Sequence, residues 1–365
     1  MAKKKSSGSR AQQPVVPQVS METWKALLPA ADEFKHLAPW RWMHDSQIIG
    51  LRYPATKEVF LSAILGRMRA VFALLLYRNA AGHRWLLNTI LNEGDPGGFE
   101  GELTAFEQDL IKVEFVQKRE LEKEDREILA ACKYAPRAKG GPVWPQFRSL
   151  FPTFMPWFMA QEEAEKLLFA LPRVTAVARL AHQQPELWDN HLEGEIAFVP
   201  DDFNPATDQL TVEQLTWEPM LPPPAPPITP VFFNEKTIAK IQALRRAAGF
   251  HLELDISYAP ISFVHKGKPQ FTKLAIAVDQ ATGYIGGLKL ASFNDPDGAD
   301  ALGKVMLDAM KTFGHQPASL CVQRPRVEAM VTEVARMLDL PIHCEFSLDS
   351  LNAARDNLTE QLWQS

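Results

Sequence analysis

From Phe250 onward the hydrophobic and polar positions of this chain change rhythm in a definite order. Strict alternation through FHLELDI puts Phe250, Leu252, Leu254 and Ile256 on one face and His251, Glu253 and Asp255 on the other, the period of a half-buried strand. A loop or extra strand with a turn at Lys266 to Lys268 follows. Leu274 to Val278 is then an unbroken apolar run, as in a strand covered on both faces. Gln280 to Gly283 turns the chain, and Tyr284 to Leu290 returns antiparallel, with Gly286-Gly287 marking a bulge or a point of close packing. The spacing next becomes helical: Leu302, Val305, Met306, Ala309, Met310 and Phe313 form one stripe, which predicts a helix near 299–313. Residues 318–323 read as a short strand, Pro325 opens a helix reaching about Leu338, 341–346 form a last strand, and Ser347 caps a closing helix over 348–363. Ahead of all these, Asn234 caps a predicted helix over 235–248. Strands joined through helices run parallel, so the pattern predicts an α/β domain with a mixed five-stranded sheet, three members antiparallel and two parallel.

The earlier half has a different pattern. Residues 47–53, 58–65 and 69–77 are rich in β-branched and aromatic residues and are separated by short turns, which predicts an antiparallel meander. A helix over 80–91 follows, ended by a turn at Gly94 to Gly98. Residues 110–117 read as a strand and 119–130 as a charged helix. Leu167, Leu168, Leu171, Val174, Val177 and Leu180 mark a helix over 161–182, with Pro172 as a break or kink. Residues 194–199 complete an α+β set. Between these lies WPQFRSLFPTFMPWF, Trp144 to Phe158: its prolines predict a loop, while its aromatics require that loop to pack as a lid over its own sheet or to form a ligand or partner groove.

The stretch Glu218 to Pro230 holds seven prolines. It reads as a semi-rigid polyproline spacer, and composition shifts across it: eight of nine tryptophans precede it. The expected organisation is a disordered tail over 1–20, a tryptophan-rich α+β domain over 21–217, a linker over 218–230 and an α/β domain over 231–365. The tail is basic at Lys3-Lys4-Lys5 and lacks the apolar core of a secretory signal. No window reaches the length of a membrane span. Three widely spaced cysteines, Cys132, Cys321 and Cys344, are no disulfide framework and fit a reducing cytoplasm. A net charge of −5 argues against nucleic-acid binding over the whole surface and leaves a local basic patch, and so a nucleic-acid partner, open.

LDISYAPISFVHKGKPQFTKLAIAVDQATGYIGGLKL, with its strand order and the helices after it, resembles the opening of integrase and transposase cores of the ribonuclease H-like fold. That resemblance implies a first catalytic Asp on the first strand, here Asp255. It implies a second Asp at the end of the fourth strand, where this chain has Gln323-Arg324-Pro325. It implies a last acidic residue on the closing helix, where Asp349 and Asp356 lie without the family's surrounding motif. The chain also resembles a group of bacterial two-domain proteins of unknown function, through Pro317 to Val322 and Leu338 to Ile342. That likeness implies fold and kingdom and no activity.

Two-metal hydrolysis needs clustered carboxylates, and Gln323 brings no negative charge. The favoured reading is therefore a cytoplasmic, non-catalytic binding or scaffold protein with a protein partner and no cofactor. The alternative is a Mg²⁺- or Mn²⁺-dependent nuclease or phosphoryl-transfer enzyme using Asp255, with Asp279 and Asp349 as further candidates. Asp279, followed by Gln-Ala-Thr-Gly, also reads as turn chemistry. The row His251, Glu253, Asp255 is a solvated strand face or a site remnant. Cys321, His343 and Cys344 on neighbouring strands are structural thiols rather than a zinc site, which needs a fourth ligand. Arg148, with Trp144 and Trp157, is the ligand-binding candidate of the first domain. A guanidinium stacked on rings for structural reasons is its other reading.

Overall fold

A computed structural model of the protein describes residues 14–91, 106–137, 141–189, 191, 195–292 and 294–363. The expected tail up to Gln13 and the turn at Gly94 to Gly98 lie outside these residues. The chain divides into two compact units, the first made of Met1–Pro96, Glu107–Pro224 and Lys266–Lys268, the second of Gly97–Phe106, Ala225–His265 and Pro269–Ser365. Both contain a mixed sheet.

In the first unit the strands are β1 (Ile49–Arg52), β2 (Val59–Leu65), β3 (Ala73–Arg78), β4 (Leu110–Val116), β5 (Trp144–Leu150), β6 (Glu195–Phe198) and β7 (Thr216–Pro219). They lie in the order β5-β4-β3-β2-β1-β6-β7. All pairs are antiparallel except β1 with β6, which is parallel. Helices α1 (Met21–Leu37) and α4 (Gln161–Gln183) cover one face, where Leu27, Phe34, Leu167 and Leu171 meet Phe60, Leu74 and Val113. Helix α2 (Asn79–Leu91) lies on the other, its Leu86 and Leu87 against Leu61, Leu75 and Tyr77. A short α3 (Lys123–Ala131) follows β4.

The pattern of this half yields most of these elements, leaves out β7, whose Glu218 and Pro219 fall in the expected spacer but pair with β6, and differs at two more. Helix α1 was not predicted, although Ser20 Oγ accepts from the Thr23 N–H at 3.1 Å and Lys35 and His36 occupy its last turn, the expected cap and charge placement. Pro29 masks the periodicity, yet it lies inside the helix, as Pro172 lies inside α4. Each proline forfeits one helical hydrogen bond, and burial of the flanking apolar stripe outweighs the loss. The second difference is Trp144 to Leu150, expected as loop and found as β5. β5 is an edge strand, where a proline such as Pro145 is tolerated. Among the described residues its outer side pairs with Trp157, which exchanges two backbone hydrogen bonds with Ser149, at 2.7 and 2.9 Å.

The second unit contains β8 (His251–His265), β9 (Lys268–Asp279), β10 (Ile285–Leu290), β11 (Ser319–Val322) and β12 (Ile342–Cys344), in the order β10-β9-β8-β11-β12. β10 runs antiparallel to β9, and β11 runs parallel to both β8 and β12. Its helices are α5 (Glu235–Gln242), α6 (Ala299–Phe313), α7 (Pro325–Met337) and α8 (Asp349–Trp363). Helix α5 starts as predicted, Asn234 accepting from the Thr237 N–H at 2.9 Å, but ends six residues before its expected limit of 248. The buried Gln316 side chain donates to the carbonyls of Ile241 and Leu244 and so closes the helix. Gly286-Gly287 is both a bulge and a close approach. The β9–β10 register shifts there, and a Cβ on Gly287 would sit 2.5 Å from the Val305 carbonyl oxygen of α6.

Among the described residues, no helix is long and apolar enough to cross a membrane.

Candidate functional site

β8 is a central strand, and α8 packs beside it, so the polar row predicted on its outer face is covered. Leu348, Leu351 and Ala354 of the α8 region join Ile276, Val278 and Cys321 in a small core on this side. Glu253 and Asp255 are only 1% and 2% exposed. Buried acids must find partners, and each member of the row has one. His251 Nδ1 lies 2.7 Å from Ser319 Oγ on β11. Glu253 Oε2 accepts from the backbone N–H of Leu351 at 2.7 Å, so a carboxylate from the sheet caps the first turn of α8, where an anion is favoured. Burial pushes the Glu253 carboxyl up; the Leu351 N–H opposes this, Asp349 and Glu345 reinforce it, and the net direction is upward.

Asp255 lies between two guanidinium groups. Arg324 Nε, from the segment between β11 and α7, is 3.1 Å from Oδ1. Arg355 Nη1, from the middle of α8, donates to Oδ2 at 3.3 Å. Arg355 is itself positioned by Asn352, whose Oδ1 accepts from Nη2 at 3.0 Å. Arg324 is as buried as the aspartate. The sequence singled out Asp255 and the Gln323-Arg324 position separately; it did not reveal that they touch. Arg355 went unnoticed because a lone arginine on an amphipathic helix has no signature of its own.

The other two acidic candidates stand elsewhere. Asp279 ends β9, and its carboxylate accepts from Thr282 Oγ1 at 2.6 Å and from the Ala281 N–H at 3.4 Å, the turn chemistry read from Gln-Ala-Thr-Gly. The next residue, Gln280, donates its N–H to the His251 carbonyl. Asp279 is therefore level with the start of β8, about 13 Å along the strand from Asp255. Asp349, at the exposed start of α8, accepts from Ser347 Oγ at 2.5 Å. Its neighbour Ser350 donates to the Gln280 carbonyl at 2.8 Å, which puts Asp349 toward Asp279 and away from Asp255.

The metal-dependent alternative calls for Mg²⁺ or Mn²⁺ at Asp255, and the residues present do not fit one. Arg324 and Arg355 both lie against the Asp255 carboxylate, and a divalent ion there would have to displace them. Among the described residues, no three His, Cys, Asp or Glu side chains gather to hold a metal ion. Cys321 pairs in register with His343, and Val322 with Cys344. Burial pushes the Cys321 thiol up, as expected for a structural thiol.

In the first unit, Arg148 is engaged within the fold. Its Nη1 and Nη2 donate to the two carboxylate oxygens of Asp125, both at 2.8 Å, and Nη2 also reaches Glu122 at 2.8 Å. The guanidinium lies 4.4 Å from the Phe158 ring centroid. Trp144 meets Tyr134 edge-on and Trp157 Nε1 donates to the Val15 carbonyl, so neither ring shares these contacts. The Arg148→Ala variant is expected to lose about 3 kcal/mol of stability, because Asp125 stays buried without its bidentate partner. Arg148→Lys restores only part of that, since an ammonium does not match both oxygens. Denaturant unfolding followed by tryptophan fluorescence measures it.

Two family matches fall within the chain, one on each half. Residues 24–198 match a family described as a domain of unknown function (DUF7309). Residues 237–359 match another, also described as a domain of unknown function (DUF6930). No curated protein and no solved structure matches the chain.

The second match spans Asp255, Arg324 and Arg355 together, and the first spans Arg148 with its acidic partners. Sequence reasoning also missed an open groove of about 1070 Å³ on the α2 side of the first sheet. Its floor includes Leu75 and Leu110, Tyr77 stacks on Trp85 at 5.7 Å, and the Lys112–Glu114 pair lies on its wall. The small side chains of Ala63 and Ala73 on adjacent strands are the one signal in the sequence that could have pointed to it.

Proposed function

We propose that this protein works by binding rather than catalysis, and that its second unit is a ribonuclease H-like domain whose metal site has been replaced by an internal ion cluster. The observation that carries this reading is Asp255 held between Arg324 and Arg355. The two positions where the layout calls for further acids, the end of the fourth strand and the closing helix, each send an arginine to the first. The strand order, with β8 to β10 as a meander and β11 and β12 parallel to β8, supports the same assignment.

The partner we assign is a protein. The net charge of −5 disfavours a polyanion over the whole surface, while the proline-rich segment over 218–230 offers the extended form that aromatic-lined grooves recognise. In this reading that segment also separates a tryptophan-rich domain over 21–217 from the domain over 231–365. Three unpaired cysteines and the likeness to bacterial two-domain proteins support a bacterial, cytoplasmic setting.

A thermal-shift titration of the full chain with Mg²⁺ and Mn²⁺ tests the loss of the metal site. A ligand that binds only the folded state raises the melting temperature, so no rise is expected up to millimolar metal. A rise that disappears in Asp255→Asn would overturn the proposal and establish the metal-dependent alternative.

A further inference from the structure

The open groove on the α2 side of the first sheet follows from strand register. Leu61, Tyr77 and Leu110 form one cross-strand row, and α2 packs over it through Leu86 and Leu87. The next two rows on that face are Ala63-Leu75-Lys112 and Leu65-Ala73-Glu114. They line the groove, and Trp85, Thr89 and Ile90 of α2 form its side. Each row carries one alanine beside a leucine, so the floor is recessed. At about 1070 Å³ the space is large enough for a small organic molecule.

Two polar groups on this groove lack partners. Tyr77 is 2% exposed and its ring stacks on Trp85 with the planes 14° apart, yet among the described residues its hydroxyl makes no hydrogen bond. Buried hydroxyls are nearly always bonded, because losing water without a replacement costs free energy. Asp45, an exposed residue of the lining, has no cation against it among the described residues. Burial, and after it the Asp45 charge, push the Tyr77 phenol up, so the carboxylate stands near enough to act on that hydroxyl. The other charges of the lining, Lys112 and Glu114, satisfy each other at 2.5 Å. What remains is one uncompensated negative charge beside an unbonded hydroxyl and two aromatic rings.

We infer that this groove is a binding site for a small apolar molecule that carries one protonated amine. The apolar body lies over Ala63, Ala73 and Leu75, and the ammonium reaches the Asp45 end. There it donates to the carboxylate and to the phenol oxygen, and the rings of Tyr77 and Trp85 add their own attraction for a cation. A carboxylate of the same shape meets repulsion from Asp45, and an alcohol gains no charge pairing. The site uses no residue of the Asp255 cluster, so it stands or falls apart from the reading given above.

The test is titration calorimetry of the full-length protein with octylamine, octanol and octanoate, which share one apolar body and differ in the head group. Octylamine is expected to bind with a dissociation constant below about 1 mM. It should bind roughly fivefold more tightly than octanol, the order of effect of an exposed ion pair, and octanoate should bind more weakly than either. Asp45→Asn, a change at an exposed position, should bring the amine down to the level of the alcohol. Tyr77→Phe removes only the hydroxyl and should weaken the amine several-fold with no fall in melting temperature, because that hydroxyl holds nothing in the free protein. Octanol or octanoate binding as tightly as the amine, a preference for the amine that survives Asp45→Asn, or binding of none of the three overturns the inference.

Discussion

Arg78→Leu is expected to lower the stability of the first unit by about 3–5 kcal/mol, the loss typical when one partner of a buried ion pair is removed. The Arg78 side chain is 4% exposed and serves two equally hidden carboxylates, with Nε 2.5 Å from Asp109 and Nη1 2.6 Å from Glu163. Ser149 Oγ accepts from Nη2 at 3.0 Å and itself donates to Glu163 at 2.5 Å. Asn79 donates to the second oxygen of Asp109, and the N–H of Ala160 donates to the second oxygen of Glu163. One guanidinium thus joins the end of β3 to β5, the residue before β4 and the first turn of α4. Its removal leaves two buried charges with their smaller donors only. Eight of nine tryptophans precede residue 218, so the urea midpoint followed by tryptophan fluorescence reports this unit directly. A loss under 1 kcal/mol would mean that water reaches both carboxylates and that the network does not secure the sheet to α4.

The same network sets a pH dependence with a definite sign. Burial alone would push the Glu163 carboxyl up, but Arg78, Ser149 and the Ala160 N–H outweigh it and hold it below the ordinary 4.5. A depressed folded-state pKa contributes stability that is present above about pH 4.5 and is lost as pH falls through the lower folded value. Wild type should therefore lose stability in acid below that point. In Arg78→Leu the opposing charge is gone, protonation relieves the variant, and the gap between the two proteins should narrow toward pH 4.

Asp255→Ala should destabilise the second unit by about 3 kcal/mol or more. The variant leaves the buried Arg324 guanidinium beside Arg355 without the carboxylate that separates them. This outcome discriminates between the two readings of the cluster. Carboxylates gathered for a metal repel one another when no metal is bound, so removing one of them stabilises the fold; removing an acid that lies between two arginines does the reverse. Asp255→Asn should lose nearly as much, because it keeps shape and discards charge. Asp255→Leu combined with Arg324→Met should recover much of the loss, as buried ion pairs replaced by apolar side chains often do. Hydrogen exchange along β8 and far-UV circular dichroism in denaturant provide the readout. Equal or higher stability in Asp255→Ala would return Asp255 to the metal-ligand reading.

Local pattern reached far into this fold. The helical spacing from Leu167 to Leu180, the alternation through FHLELDI, the Asn234 cap and the paired glycines at 286 and 287 each reappear as the element or contact they imply. All of these depend on neighbours within a turn or a strand, and the physics that selects them is equally local: amphipathic periodicity, end-capping and the missing Cβ. Where the local signals conflicted, as at Pro29 in α1 and Pro145 in β5, the sequence reading failed. Whether a proline is tolerated depends on what packs on the helix and on which side of the sheet a strand lies.

The candidate site divides in the same way. The sequence by itself determined that an acid stands at Asp255 on the first strand of this half and that Gln323-Arg324 stands at the end of the fourth. It left the row of His251, Glu253 and Asp255 between a solvated face and a functional remnant. Only the tertiary structure decided that α8 closes over that row. Only the structure brings Arg355 to Asp255 across 100 residues of chain, and only the structure turns Glu253 into a helix cap. Charge at one position can be read from one residue. Its compensation is a property of pairs, and residues so far apart in sequence meet only once the sheet and its covering helix have formed.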